Sequence, residues 1–386
     1  MSWPTVPMDA LKAPGSYTFV GGPFGSELTT KDYVDEGVPV IRGNNLSKYG
    51  KFHDDDFVFV TDEKAVSLRS NSAYPGDLIF TQRGTLGQVG LIPKDATYDK
   101  YVVSQSQMKL TVDETKVNPL FVYYYFCLPT TIQRILGSVS TSGVPHINLS
   151  TLKAFKIPVP DKHVQNSIVE LVRPYDDLIE NNRRRIGLLE EAARLLYREW
   201  FVYFRFPGHE HVKITNGLPE GWEQKPFGEI AELHYGKALK EENRVSGPFP
   251  VYGSSGVVGS HQSRLVEGPA IVVGRKGNVG SVYWSSTDFW PIDTAYFIAK
   301  EQSDFWLYHA LPSAGFQNTD AGVPGLNRDF AYSRKLILPP VRLRELYNGC
   351  VAPMFEQRNI LESYNRKLAE ARDLLLTRLM SGEIAV

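Results

Sequence analysis

Cysteine is nearly absent. Cys127 and Cys350 are the only two in 386 residues. Two thiols make neither a cysteine-rich zinc site nor a disulfide framework. No apolar run reaches the ~18 residues of a membrane span, and the opening MSWPTVPMDALKAPG has no signal-peptide core. Net charge is also lacking, with 42 basic residues against 43 acidic ones. That excludes a generally basic, histone-like binder and leaves room for local basic surfaces. What is present is 42% hydrophobic and 22% charged sequence. Such a chain buries sizeable cores and is too apolar for disorder. Its length suits two to three domains. The expectation is a soluble, cytoplasmic, multidomain protein.

The chain repeats itself once. TSGVPHINLSTLKAFKIPVP (141–160) returns as DAGVPGLNRDFAYSRKLILPP (320–340), 179 residues later. Sliding 141–196 onto 320–375 without a gap gives thirteen identities, where average residue usage gives roughly four. Among them are Gly143/Gly322, Val144/Val323, Pro145/Pro324, Asn148/Asn327, Pro160/Pro339 and Pro174/Pro353. DLIFTQRGTLGQVG (77–90) parallels AIVVGRKGNVGSVY (270–283) at an offset of 193, sharing Gly84/Gly277 and Gly87/Gly280. Trp3-x3-Pro7 and Trp222-x3-Pro226 make a weaker third echo.

Each half reads in one order: a β-rich globular part, a Pro-rich connector, a long helix. Short β-branched and aromatic runs mark the strands: FVFV (57–60), LIF (78–80), AIVV (270–273) and SVYW (281–284). IPVP (157–160) and LILPP (336–340) close the globular parts as strands, because proline cannot continue a helix. The expected organisation is a first domain over 1–160, a helix over 161–204, a linker over 205–217, a second domain over 218–340 and a second helix over 341–386.

In the first helix Ile168, Val172, Tyr175, Ile179, Asn182, Ile186, Leu189, Ala193, Leu196, Trp200 and Tyr203 alternate by four and three. That spacing is a narrow coiled-coil seam. In the second, Met354, Leu361, Leu368 and Leu375 lie seven apart, with Tyr364, Ala371 and Leu379 beside them and Arg358, Asn365 and Arg372 at the other seam positions. Two long helices with narrow seams are expected to pair. Asn182 and Asn365 are candidates to fix the coiled-coil register, since a polar seam residue costs stability and selects alignment. A helix over 163–204 is roughly 60 Å long. With DNA rising about 3.4 Å per base pair, such a rod matches roughly 10–18 base pairs.

These residues carry a resemblance. GGPFGSELTTKDYVDEGVPVIRGNNL (21–46), PGDLIFTQRGTLGQVGLIP (75–93) and GVPHINLSTLKAFKIPVP (143–160) in the first half resemble the specificity subunit of type I restriction–modification enzymes. So do LPEGW (218–222), PVYGSSGVVGSHQSRLVEGPAIVVGRKGNVGSVYW (250–284), FWPIDTAYF (289–297) and the ending RLMSGEI (378–384) in the second. The resemblance implies an α+β fold with a pseudo-two-fold internal repeat. Two β-rich target-recognition domains are separated by two long helices that pair as an antiparallel coiled coil. It implies a non-catalytic, host-defence role: each domain reads one half of a bipartite, asymmetric site in double-stranded DNA. Two methyltransferase subunits dock on the helices and motor-nuclease subunits join them. S-adenosylmethionine, ATP and Mg are expected in those partners, and no cofactor, metal or catalytic residue in this chain.

Base reading in the major groove needs Arg or Lys for guanine and Asn or Gln for adenine, presented from loops. The first domain offers Arg42, Asn44, Asn45 and Lys48, then Gln82, Arg83 and Thr85, then Gln105 and Gln107. The second offers Tyr252, Ser254 and Ser255, then His261, Gln262 and Arg264, then Arg275, Lys276 and Asn278, with Arg328 after the repeated GVPxxN. The glycine-rich loops Gln82 to Gly87 and Arg275 to Gly280 recur at corresponding places and rank first. The bland reading is that most of these are ordinary solvated loop residues. Gly143-Val144-Pro145 and its twin read equally as structural or as phosphate-facing, with Asn148 and Asn327 as turn caps. Charge argues for weak DNA binding by the lone chain: residues 1–160 hold fifteen basic and fifteen acidic side chains.

Other chemistries are poorly supported. GRKGNVGS (274–281) lacks the order of a nucleotide-binding loop and precedes a strand pattern. His209-Glu210-His211 is too close-packed for a two-histidine metal face. Glu223-Gln224-Lys225 has the ExK tail of many nucleases, without a persuasive acidic partner nearby in sequence.

Overall fold

The computed structural model describes residues 3–46, 51–138, 146–318 and 325–386. The chain divides into two compact units, Met1–Asn181 with Asn365–Val386, and Asn182–Tyr364. Each unit holds one β-rich head and a stretch of both long helices, Lys162–Tyr197 and Val341–Met380. Among the described residues no helix is long and apolar enough to cross a membrane.

The first unit is built on the strand Leu78–Thr81, every residue of which is buried. A strand covered on both faces reads as a continuous apolar run, which is what the sequence shows. Its sheet runs Phe19–Gly21, Gln107–Leu110, Leu78–Thr81, Val89–Leu91. A second sheet runs Val58–Val60, Val38–Ile41, Tyr101–Val103, Ser72–Ala73, with the middle pair parallel. Thr5–Pro7 pairs with Lys156–Pro158. Two helices follow, Pro119–Cys127 and Pro129–Leu136. Each begins with proline, whose missing N–H costs nothing at a helix start. They pack Phe121, Tyr124 and Phe126 into one core with Met108, Leu110, Ile168, Val172, Leu376 and Leu379.

The second unit repeats this plan. Ala270–Gly274 is the fully buried strand. Its sheet runs His234–Tyr235, Ala295–Ile298, Ala270–Gly274, Val282–Ser285. Beside it run Gly256–His261, Phe249–Gly253 and Trp290–Pro291, the last pair again parallel. Glu223–Pro226 pairs with Lys335–Leu338. The core gathers Trp306, Tyr296, Phe227 and Leu326 with Tyr347, Val351 and Phe355 of the second long helix, Ala193 of the first, and Trp200 just past the end of the first. The heads thus share strand order and sense, down to the parallel pair, except that Ser72–Ala73 has no counterpart among the described strands of the second head.

The long helices pair inside each unit. In the first, the Arg372 guanidinium meets the Asp176 carboxylate at 2.6 Å, both side chains being nearly buried. In the second, Arg358 reaches Glu190 at 3.2 Å, and the Tyr347 hydroxyl donates to the Ala193 carbonyl at 3.1 Å. Position rises along one helix as it falls along the other, so the pairing is antiparallel. Asn182 is buried on the seam and Asn365 half-buried. The seam ends earlier than its spacing predicts. Tyr203 is 47% exposed, because the backbone widens over Arg198–Val202 and turns left-handed at Phe204, φ 59°. Tyr364 and Ala371 are exposed as well; they lie off the buried stripe that runs through Leu361, Asn365, Leu368, Arg372 and Leu375.

Candidate nucleic-acid interface

Two loops are built alike in backbone and differ in side chains. In the first head the loop after Leu78–Thr81 turns at Gly84 and Gly87, with φ of 95° and 85°. In the second the loop after Ala270–Gly274 turns at Gly277 and Gly280, with φ of 80° and 75°. Only glycine takes such angles without strain. The Gln82 and Arg83 amides both donate to the Ser106 carbonyl, at 2.7 and 3.4 Å. The Arg275 and Lys276 amides both donate to the Thr294 carbonyl, at 2.9 and 3.1 Å. On the other side the Ile147 amide donates to Gln82 (3.2 Å) and the Leu326 amide to Arg275 (2.8 Å). Single antiparallel bridges join Arg83 to His146 and Lys276 to Gly325. Each loop is therefore clamped from two sides by main-chain bonds, to which the second loop adds the Ser281 hydroxyl donating to the Asn278 carbonyl at 3.0 Å.

The second clamp arm is the segment after the repeated GVP. Asn148 starts the helix Leu149–Ala154, its Oδ1 accepting from the Thr151 amide at 2.7 Å. Asn327 starts Arg328–Ser333 and accepts from the amides of Asp329 and Phe330 at 2.8 and 3.1 Å. Both are helix N-caps. Gly143-Val144-Pro145 and Gly322-Val323-Pro324 lie outside the described residues, as does Lys48.

On this frame Arg83 and Thr85 are exposed and Gln82 half-buried; Asn278 is exposed and Arg275 and Lys276 half-buried. Arg275 is held firmly. Its guanidinium lies 5.0 Å from the Tyr235 ring centroid and 5.7 Å from that of Tyr296, and its Nη1 donates to the Asp293 carbonyl at 2.9 Å. Arg328 also packs against Tyr235, at 5.3 Å, and Tyr332, at 5.8 Å. Burial, with the Tyr235 hydroxyl beside it, pushes the Tyr296 phenol up to about 12. It stays protonated and donates to the Leu326 carbonyl at 3.0 Å. Tyr235 is absent from the residues the sequence suggests. Its only signal is its strand register, which a single sequence does not display.

Burial corrects several of the sequence-derived candidates. Asn45 is fully buried; its side chain accepts from the Arg42 amide and donates to the carbonyls of His53 and Asp55, so it shapes its own loop. Gln107 is 1% exposed and takes the Ser104 hydroxyl. Tyr252, Ser254 and His261 are buried too, with the His261 Nδ1 accepting from the Val245 amide at 3.2 Å. None of these side chains presents a free edge to a base. Gln105 is half-buried and donates to the carbonyls of Gly25 and Leu28. Arg42 and Asn44 both bind Asp56, through its carbonyl at 3.1 Å and its carboxylate at 2.8 Å. Arg264 is paired with Asp288. Ser255 and Gln262 are exposed. The hairpins differ most between heads: residues 42–57 join the two strands in the first, and Ser254 and Ser255 alone join them in the second. Asn44 and Asn45 thus sit in a connection that the second head cuts to two residues.

The remaining motifs resolve simply. GRKGNVGS leads into the strand Val282–Ser285, not a helix. Glu223 and Lys225 pair with each other at 2.7 Å. His209-Glu210-His211 forms an exposed turn. Among the described residues no group of three or more His, Cys, Asp or Glu side chains comes together in a metal-holding arrangement.

Comparison with known proteins agrees with the duplicated frame. The family model for the type I restriction modification DNA specificity domain matches residues 25–191 and again 219–341. The chain is 23% identical to the type I restriction enzyme MjaIX specificity subunit of Methanocaldococcus jannaschii, over 92% of this chain and 89% of that one. It is 22% identical to the HindI specificity subunit of Haemophilus influenzae, over 80% and 86%. In fold it is similar to the crystal structure of a type I restriction–modification S subunit from M. genitalium, with a TM-score of 0.55, 18% identity, and coverage of 98% and 96%.

Proposed function

The chain belongs to the type I restriction modification DNA specificity family, and from that premise we propose that it is the specificity subunit of a type I restriction–modification complex, in which each head reads one half of a bipartite, asymmetric DNA site. The observation that carries this is the loop built twice on one frame with different side chains. Two copies of one reader with unlike contact residues suit two unlike half-sites. The paired helices set the spacer length and dock two methyltransferase subunits; motor-nuclease subunits complete the complex. S-adenosylmethionine, ATP and Mg act in those partners, and this chain supplies recognition. Asn182 and Asn365 fix the register of the helix pair.

Expression with a cognate methyltransferase, followed by sequencing of methylated adenines, tests the reading. The expected result is one bipartite motif, of which replacing residues 218–340 changes one half only. Methylation without a bipartite motif would refute it. Inserting one heptad into both helices adds about 10 Å, or roughly three base pairs, to the spacer while both half-sites persist. Because the chain is nearly neutral overall, affinity for the site should rise more than tenfold in a gel shift once the methyltransferase is added.

A further inference from the structure

The sheet registers identify which residues of the two heads occupy the same place. Tyr296 lies between Tyr235 and Val273. Met108 lies between Gly21 and Phe80. Tyr235 therefore stands where the first head has Gly21, and two residues beyond Val273 and Phe80 come Arg275 and Gln82. The next glycines confirm the match. A Cβ on Gly22 would sit 2.0 Å from the Ser104 carbonyl oxygen, and one on Gly236 would sit 2.1 Å from that of Ile292. A Cβ on Gly21 would have only the Gln82 Oε1 nearby, at 3.9 Å. One head thus holds an aromatic ring under an arginine where the other leaves open backbone beside a glutamine.

Arg275 is more than a surface charge. Two tyrosine rings and the Asp293 carbonyl fix its plane, and Arg328 stacks on the same Tyr235 ring. Among the described residues Arg328 makes no ion pair that would draw it away. An arginine whose fork is fixed before binding matches the O6 and N7 acceptors of guanine, whereas glutamine matches N6 and N7 of adenine. The same fork suits a phosphate as well, but a phosphate contact carries no base preference, so a change of preference separates the two.

We propose that the position shared by Gln82 and Arg275 reads one base in each half-site, guanine by Arg275 and adenine by Gln82, with Tyr235 as the positioning residue that holds Arg275 in plane. This rests on the DNA-reading function above and names the base class each head selects.

The test uses the full chain expressed with its cognate methyltransferase, read by methylated-adenine sequencing. A wild-type sample without a bipartite motif would refute the functional reading itself. Given such a motif, Arg275→Gln should cut methylation of wild-type sites about ten- to a hundredfold and move one guanine of the second half-site toward adenine. Arg275→Lys keeps the charge and loses the planar fork, so it should relax that same base. Tyr235→Leu should relax it too, and Tyr235→Phe should restore it. Gln82→Asn should weaken discrimination at one adenine of the first half-site and leave the second intact. An unchanged motif in the Arg275 variants, or an even loss across all sites with no change of preference, would overturn the inference and leave the functional reading standing.

Discussion

The two heads share a backbone and disagree in their side chains. Glycines at the loop turns and asparagines at the helix starts are the same in both, since backbone angle and capping admit few substitutes. Gln82 against Arg275, Arg83 against Lys276, Gly21 against Tyr235 and Leu149 against Arg328 occupy equal places and differ in chemistry. The hairpin differs further still, long in one head and a two-residue turn in the other. The contrast separates what builds the reader from what it reads, and function resides in the second set.

Four measurements press on that comparison. The largest effect is expected from Gly22→Ala and Gly236→Ala. Each would drive a Cβ into a backbone carbonyl, so each should cost at least about 3 kcal/mol in urea unfolding. A clear difference between the two would mean that the frames are less alike than their registers. Next comes the helix pair. Arg372→Met leaves the nearly buried Asp176 carboxylate alone and should cost about 3 kcal/mol. Arg358→Met frees a half-exposed Glu190 and should cost about 1 kcal/mol or less. Thermal melts of both variants compare the two units directly.

Third, acid should weaken the second unit through His309. Burial lowers its imidazole to about 4, so between pH 6.5 and 4 the unfolded chain takes up the proton and the folded one does not. Stability is untouched above that window and falls as pH drops through it, by about 2 kcal/mol at pH 5. His309→Gln should flatten the dependence of unfolding free energy on pH. Last, Asn148→Ala and Asn327→Ala should each cost about 1 kcal/mol, and the two should match.

The sequence displays the repeat, the long helices and the glycine-rich loops because these are local or periodic. The seam through Ile168, Val172 and Ile179 is legible since the spacings of four and seven are one and two turns of one helix, and the buried run AIVV is legible as a strand. Burial across elements is not. Asn45 and Gln107 have the right chemistry for reading adenine, yet Asn45 is buried by its own loop and Gln107 within a strand. Tyr235 looks like an unremarkable residue until strand register brings it beneath Arg275. Tyr203 continues the helical spacing on paper, and only the widened last turn shows where the seam stops. Pairings between distant segments decided each of these outcomes, and one chain read in order does not reveal them.

The double clamp on each glycine-rich loop has an evolutionary reach. The clamp bonds themselves run between main-chain atoms, so mutation at Gln82, Arg83, Arg275 or Lys276 leaves them in place and removes only side-chain contacts such as that of Arg275 with the Asp293 carbonyl. Descendants of such a protein are free to drift toward new target words while folding as their ancestor did, one half of the word at a time.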